Sequence, residues 1–220
     1  MGNYATEINF IANILQREKL CSDISPLNKC CSNGMYRVEE LKFNIREVPR
    51  NTRPNVELME VLLNVSFQEL QDDIPVSNYC FRITAQGLDS NANLVKSSWH
   101  LDYDINNNQE YIHPHFHLTW GGDTMKGLGL GDVLLLPTPR ISYPPLDIIL
   151  GIDFVLSNFV RADTYKKIQC DSQYKNAVKN AQEKYWKPYM LSMASHWNDG
   201  LCNYSKNAKD CKYFYPTLID

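Results

Sequence analysis

Apolar residues recur along the chain with two different periods, and the change of period divides it into three parts. Ile8, Ile11 and Leu15 repeat at helical spacing, so Tyr4 to Lys19 is expected as an amphipathic helix. Cys21 to Gly34, rich in Ser, Asn, Pro and Cys, reads as a loop. From Tyr36 onward the pattern becomes strand-like, in the runs Tyr36–Val48, Leu58–Leu70, Tyr79–Leu88, Val95–Ile105 and Tyr111–Trp120. Turn formers separate them: Pro49 to Pro54, Asp72-Asp73-Ile74-Pro75, Asp89-Ser90-Asn91 and Asn106-Asn107-Asn108. Connections this short favour an antiparallel meander. A glycine-rich stretch, Gly121 to Gly131, and a last apolar run, Val133–Leu136, follow. Pro144-Pro145 suits the start of an apolar helix over Leu146–Phe159, because proline is tolerated in a first turn. Helical signals return over Tyr174–Trp197, where Pro188 must break or kink the segment. The pattern predicts one α+β domain over 1–220. It has an N-terminal helix and loop over 1–35 and an antiparallel sheet of about five to six strands over 36–141. A helical part over 142–220 packs on one face of that sheet.

Composition supports a folded domain and narrows the partners. Hydrophobic residues are 44% and charged residues 21%, which excludes disordered and fibrous classes. A chain of 220 residues can bury a full core without staples. The net charge of −3 offers no basic face, so nucleic acid is not favoured as a partner. One basic stretch, Lys42, Arg46, Arg50 and Arg53, reads as a solvated strand end and loop, with a phosphate or acidic-partner patch as the alternative. The apolar stretch Leu146 to Val160 contains Asp147 and Asp153 and is too short to span a bilayer, so no transmembrane segment is expected. The seven cysteines form no Cys-x-x-Cys pair, and the adjacent Cys30 and Cys31 do not suit an ordinary structural disulfide. The first residues show no basic region followed by an apolar one, so reduced thiols in a cytoplasmic setting are expected. The start also fits the N-myristoylation pattern Gly2…Thr6.

The chemistry concentrates on two strands. Trp99, Leu101, Tyr103 and Ile105 alternate with His100, Asp102 and Asp104, and Ile112, Phe116, Leu118 and Trp120 alternate with His113, His115 and His117. Residues two apart share a face of a strand, so each run has one apolar and one ionisable face. If the runs form a hairpin with both apolar faces toward the core, opposed residues must have an odd index sum. A sum of 217 pairs Asp104 with His113, Asp102 with His115 and His100 with His117, and sums of 215 or 219 keep the same faces. The six ionisable side chains would then lie on one side of the sheet. Imidazoles and carboxylates together can act as a base with its orienting acid, or hold a divalent metal such as Zn or Mn through His100, Asp102, Asp104, His115 and His117. Three histidines at two-residue spacing extend roughly 13 Å, so one ion takes two of them at most, plus ligands from the partner strand. Pro114 cannot donate a ladder hydrogen bond, which predicts an edge or a bulge there. The bland alternative is a polar, wet sheet face. Four of the five histidines nevertheless fall between Trp99 and Leu118, which favours a site.

His113-Pro-His115-Phe-His117-Leu-Thr resembles the histidine-triad motif of nucleotide hydrolases and transferases, over about seven residues. The resemblance implies His115 as the nucleophile on a nucleotide α-phosphate, flanked by His113 and His117. Pro114 and Thr119 depart from the apolar positions of that motif. The order of a leading helix, a meander, a His113-Pro114 step and then helices also resembles the ubiquitin-conjugating layout. No cysteine lies between Cys80 and Cys170, so that layout implies a binding module without conjugating chemistry. Gly127, Gly129 and Gly131 are candidates for a phosphate-cradling loop, since glycine lets backbone N–H groups approach an anion, with a plain flexible turn as the alternative. Asp153, inside an apolar helix, needs a partner, and Arg140 or Arg161 is expected to pair with it. Two functions follow. One is a hydrolase or phosphotransferase acting on a phosphate-containing small molecule, with His115, His113, His117 and Asp102 catalytic. The other is a non-enzymatic subunit that binds a protein partner.

Overall fold

The computed structural model describes residues 4–28, 30–69, 76–105, 112–129, 131, 134, 136, 139–197 and 210–218. Helix α1 (Tyr4–Arg17) buries Ile8, Ile11, Ile14 and Leu15 along one stripe. A short α2 (Ser25–Asn28) precedes a sheet of seven antiparallel strands in simple meander order. The strands are β1 (Cys31–Ser32), β2 (Met35–Ile45), β3 (Met59–Glu69), β4 (Val76–Leu88), β5 (Leu94–Tyr103), β6 (Phe116–Trp120) and β7 (Ile141–Ser142). Helices α3 (Ile148–Phe159), α4 (Ala162–Gln169), α5 (Ser172–Ala181), α6 (Lys187–Ala194) and α7 (Asp210–Phe214) complete the chain.

The strand count exceeds the expected five to six because two short strands have little hydrophobic signature. β1 joins β2 through Asn33 and Gly34, both at positive φ, the two-residue turn that matches the twist of a hairpin. β7 pairs with β6 over two residues only. Leu134 and Leu136 of the apolar run before it are exposed coil, and Val133 and Leu135 lie outside the described residues. Two expected turns, 72–75 and 106–108, also lie outside them.

One sheet face carries the core. Phe43, Val61, Leu63, Val65, Phe81 and Ile83 are fully buried on it, and α3 packs across β3. Gly151 of α3 sets how closely they approach, since a Cβ there would lie 2.9 Å from Cε2 of Phe81. The α3 N-terminus is capped by Asp147, whose side chain accepts from the backbone N–H of Leu150 at 2.8 Å. The same carboxylate accepts from the Tyr4 hydroxyl at 2.8 Å, which ties α1 to α3. Pro188 acts as expected, by a defined mechanism: the helix widens to a π turn over Gln182–Trp186 and α6 restarts with the proline in its first turn. Asp153 is satisfied differently from the expected ion pair. It accepts from Tyr174 at 2.7 Å and Tyr165 at 2.9 Å, while Arg161 pairs with Glu47 and Asp163. Two phenols on neighbouring helices supply the donors without burying a second charge. No helix among the described residues is long and apolar enough to cross a membrane.

Candidate functional site

The β5–β6 pairing takes the index sum of 219. Asp102 stands opposite His117, His100 opposite Thr119 and Leu101 opposite Leu118. Beyond the strand end the Asp104 N–H donates to the His115 carbonyl at 2.9 Å, which keeps the register. β6 starts two residues after Pro114, as expected of a residue with no N–H to give to a ladder. This face is not simply wet. After β6 the chain turns through Gly121 and Gly122, and the 3-10 turn Asp123–Met125 folds back against β5. Ser98, Thr119 and His117 are therefore buried on the polar side of the sheet, His117 at only 2% exposure.

A cleft of about 570 Å³ opens at this end of the sheet. His100, Asp102, Asp104, His113 and His117 line it, so the fold brings together five of the six residues of the ladder. Asp102 is the centre of the group. Its Oδ2 lies 3.1 Å from Nε2 of His100 and 3.8 Å from Nε2 of His117. His113 stacks edge-on against His117 at 4.2 Å, and its Nε2 is 3.8 Å from Asp104. Nδ1 of His117 lies 3.0 Å from the Pro114 carbonyl. A carbonyl only accepts, so Nδ1 carries the proton and Nε2 presents a lone pair to the cleft. Burial, with His113 next to it, pushes the His117 imidazole down to about 4, and burial with the Arg140 guanidinium lowers His113. Both are neutral at neutral pH.

His115 is the ladder residue that the fold sends elsewhere. Its ring stacks flat on Tyr213 of α7 at 4.7 Å and meets Tyr103 and Phe214 edge-on, and its N–H donates to the Tyr213 carbonyl at 2.7 Å. It does not line the cleft, its Nδ1 is buried without a hydrogen-bond partner among the described residues, and burial lowers its imidazole as well. The expectation that all six side chains share one face thus fails at the residue where regular pairing has ended. Gly127, Gly129 and Gly131 are not brought to the cleft either, and open space surrounds all three. The glycine that matters is Gly122. It has φ of +84°, and a Cβ there would lie 3.1 Å from Cε1 of His100, so it is the floor against which that imidazole rests. Among the described residues no group of three His, Cys, Asp or Glu side chains is placed to hold a metal ion.

Arg140, which the sequence offered only as a partner for Asp153, belongs to the cleft instead. It lines the cleft, and its Nη1 is buried with no hydrogen-bond partner among the described residues. In the sequence it is a lone basic residue after a Pro-containing stretch, and no spacing links it to the histidines. Trp120, whose indole N–H donates to Ser97 at 2.7 Å, forms part of the same wall. Comparison of the chain with protein-family models, with curated proteins and with solved structures finds no match.

Proposed function

We propose that the cleft is the active site of a hydrolase or phosphotransferase acting on a phosphate-containing small molecule. The observation that carries this reading is the buried, unpartnered Nη1 of Arg140 beside two neutral imidazoles. A buried N–H donor without an acceptor is costly, and a phosphate oxygen is the acceptor that matches a guanidinium in both charge and geometry. Arg140 holds the anionic group. His117, with Nδ1–H fixed by Pro114, takes a proton at Nε2 from the attacking water or hydroxyl. The charge of the phosphate raises His117 from its depressed value toward the range where a base works well. Asp102, 3.1 Å from Nε2 of His100, faces the imidazolium that forms and stabilises it. This scheme gives the proton-accepting role to His117; the nucleophilic role implied for His115 by the histidine-triad resemblance would require the Tyr213 stack to open. A zinc or manganese ion beside Asp102 is an outcome to test and not a premise.

The test is a panel of phosphomonoesters, phosphodiesters and nucleotides assayed with the wild type, with His117→Asn and with Arg140→Gln, each with and without chelator and added Zn or Mn. Losing the proton-transfer group should cost on the order of 10²–10⁴ in rate. Arg140→Gln should act mainly on KM. No turnover of any panel member by the wild type under any metal condition overturns the reading. A second reading, a subunit that binds a protein partner, is favoured by one observation. Leu88 and Leu94, paired across β4 and β5, are exposed together with Leu58, which precedes β3 at the same end of the sheet. On that reading Leu88→Ser abolishes capture of the partner while His117→Asn does not.

A further inference from the structure

Away from the cleft, the adjacent Cys30 and Cys31 open the edge strand of the sheet with their Sγ atoms 3.7 Å apart. Cys30 is a buried residue and Cys31 an exposed one, so the pair lies at the boundary between the core and the surface. The backbone around them is pinned: the Arg37 N–H donates to the Cys30 carbonyl at 2.8 Å, and Cys31 pairs with Tyr36 in the Asn33-Gly34 hairpin. A disulfide between these two residues is disfavoured, because consecutive Cα atoms are about 3.8 Å apart across a trans peptide and disulfides span about 4.4–6.8 Å. Coordination carries no such strain. Two thiolates that share one centre through bonds of about 2.3 Å lie no more than about 4.6 Å apart, a range the pair already occupies. The contact between the sulfurs lowers the Cys30 thiol, and the same contact, with burial, raises that of Cys31. A second observation points to the same place. The Tyr185 hydroxyl is buried with no hydrogen-bond partner among the described residues, and it lies within electrostatic reach of Cys31, Tyr36 and Asp147.

We infer that Cys30 and Cys31 form a dithiol site for a soft, thiophilic centre that accepts two thiolates, the class to which trivalent organoarsenicals belong. Softness follows from the ligands, since thiolates select soft metals and metalloids over hard oxygen-seeking cations. With phenylarsine oxide the step is a condensation. Two As–S bonds form and the As–O bond breaks. Both thiol protons leave with the oxygen as one water, and arsenic stays trivalent, so no oxidant or reductant takes part. Cys30 and Cys31 each supply one sulfur to the ring.

The experiment uses the full chain, reduced with a phosphine, in its native state. Phenylarsine oxide is added at one equivalent, and intact mass is followed through a challenge with excess glutathione and then with 2,3-dimercaptopropanol. The expected result is one adduct, heavier than the protein by one arsenical less one water, that survives glutathione and is removed by the dithiol. It should be lost in Cys31→Ser and kept in the Cys80→Ser/Cys170→Ser double variant, in which two other exposed thiols are absent. Cys30 is buried, so its role is decided on the wild type instead: a peptide map of the adduct should place the arsenical on the segment containing both residues. Absence of a glutathione-resistant adduct on the reduced wild type, persistence of the adduct in Cys31→Ser, or a map that places it on other cysteines each overturns the inference.

Discussion

Replacing His117 by Asn separates the titration of one buried imidazole from that of every other group in the protein. The Asn amide can keep the hydrogen bond to the Pro114 carbonyl that His117 makes through Nδ1, but it cannot bind a proton at the position of Nε2. In the fold, burial holds His117 down to about 4, against an ordinary 6.5. The unfolded chain therefore takes up a proton at this residue before the folded one does. Stability from this source is complete above about 6.5 and is lost as the pH falls toward about 4. At about 1.4 kcal/mol per pH unit, the drop from 6.5 to about 4 gives about 3.5 kcal/mol in full, equivalent to about 7–14 °C in Tm for a chain of this size. Urea melts of wild type and His117→Asn at half-unit steps between pH 4 and 7 measure it. Titratable groups away from the cleft are the same in both proteins and cancel in the difference. The wild type should lose about 3 kcal/mol relative to the variant across that window. A difference that stays constant with pH would refute the placement of His117 as a buried, neutral imidazole.

Three further outcomes follow from the same structure. Burial raises Asp147 to about 6 from an ordinary 3.8, so wild type measured against Asp147→Asn should gain about 3 kcal/mol as pH falls from about 6 to 4, a slope opposite in sign to that of His117; parallel melts would count against it. Gly122→Ala places a Cβ against His100 at a φ of +84°, so it should lower stability by about 1–3 kcal/mol and lower turnover with it, as thermal melts and rate assays would register. Inorganic phosphate should bind with net proton uptake near neutral pH, because its charge raises His117 and His113. Calorimetry in buffers of different ionisation enthalpy would give a slope of zero if it does not.

How far the sequence carries depends on whether a feature is periodic. The meander was legible because β3 alternates buried and more exposed residues along its 11 positions, β4 does so over part of its length, and turn formers separate the apolar runs. The grouping of His100, Asp102 and His117 follows from the same alternation, since pairing Leu101 with Leu118 on the core side forces the ionisable residues to the other. The register among three allowed sums was not legible, because each of them buries the same apolar residues. The short strands β1 and β7 carry two residues each, too few for any period, and β1 lies inside the stretch Cys21 to Gly34 that reads as a loop. Alternation also misplaced His115. It lies in the stretch before β6, and the aromatic ring of Tyr213, nearly a hundred residues later, sets where it points.

The charges of the cleft carry the argument for an anionic ligand one step further. The cleft sets two carboxylates, Asp102 and Asp104, and two neutral buried imidazoles against one guanidinium, so its acidic groups outnumber its basic one. An anion alone would be repelled by that balance, although the Nη1 of Arg140 still lacks an acceptor. The two facts are compatible if the ligand arrives with its counter-charge, as a proton on His117 or His113 or as a cation beside Asp102. Protonation is the easier route for His117, because its Nε2 already faces the Asp102 carboxylate at 3.8 Å with nothing but the cleft between them. A proton placed there gains both the carboxylate and the incoming phosphate as partners. The cost of burying the imidazolium is offset in the bound state and not in the free one. That asymmetry is what a base needs if it is to stay neutral until substrate is present and then accept a proton as the reaction proceeds.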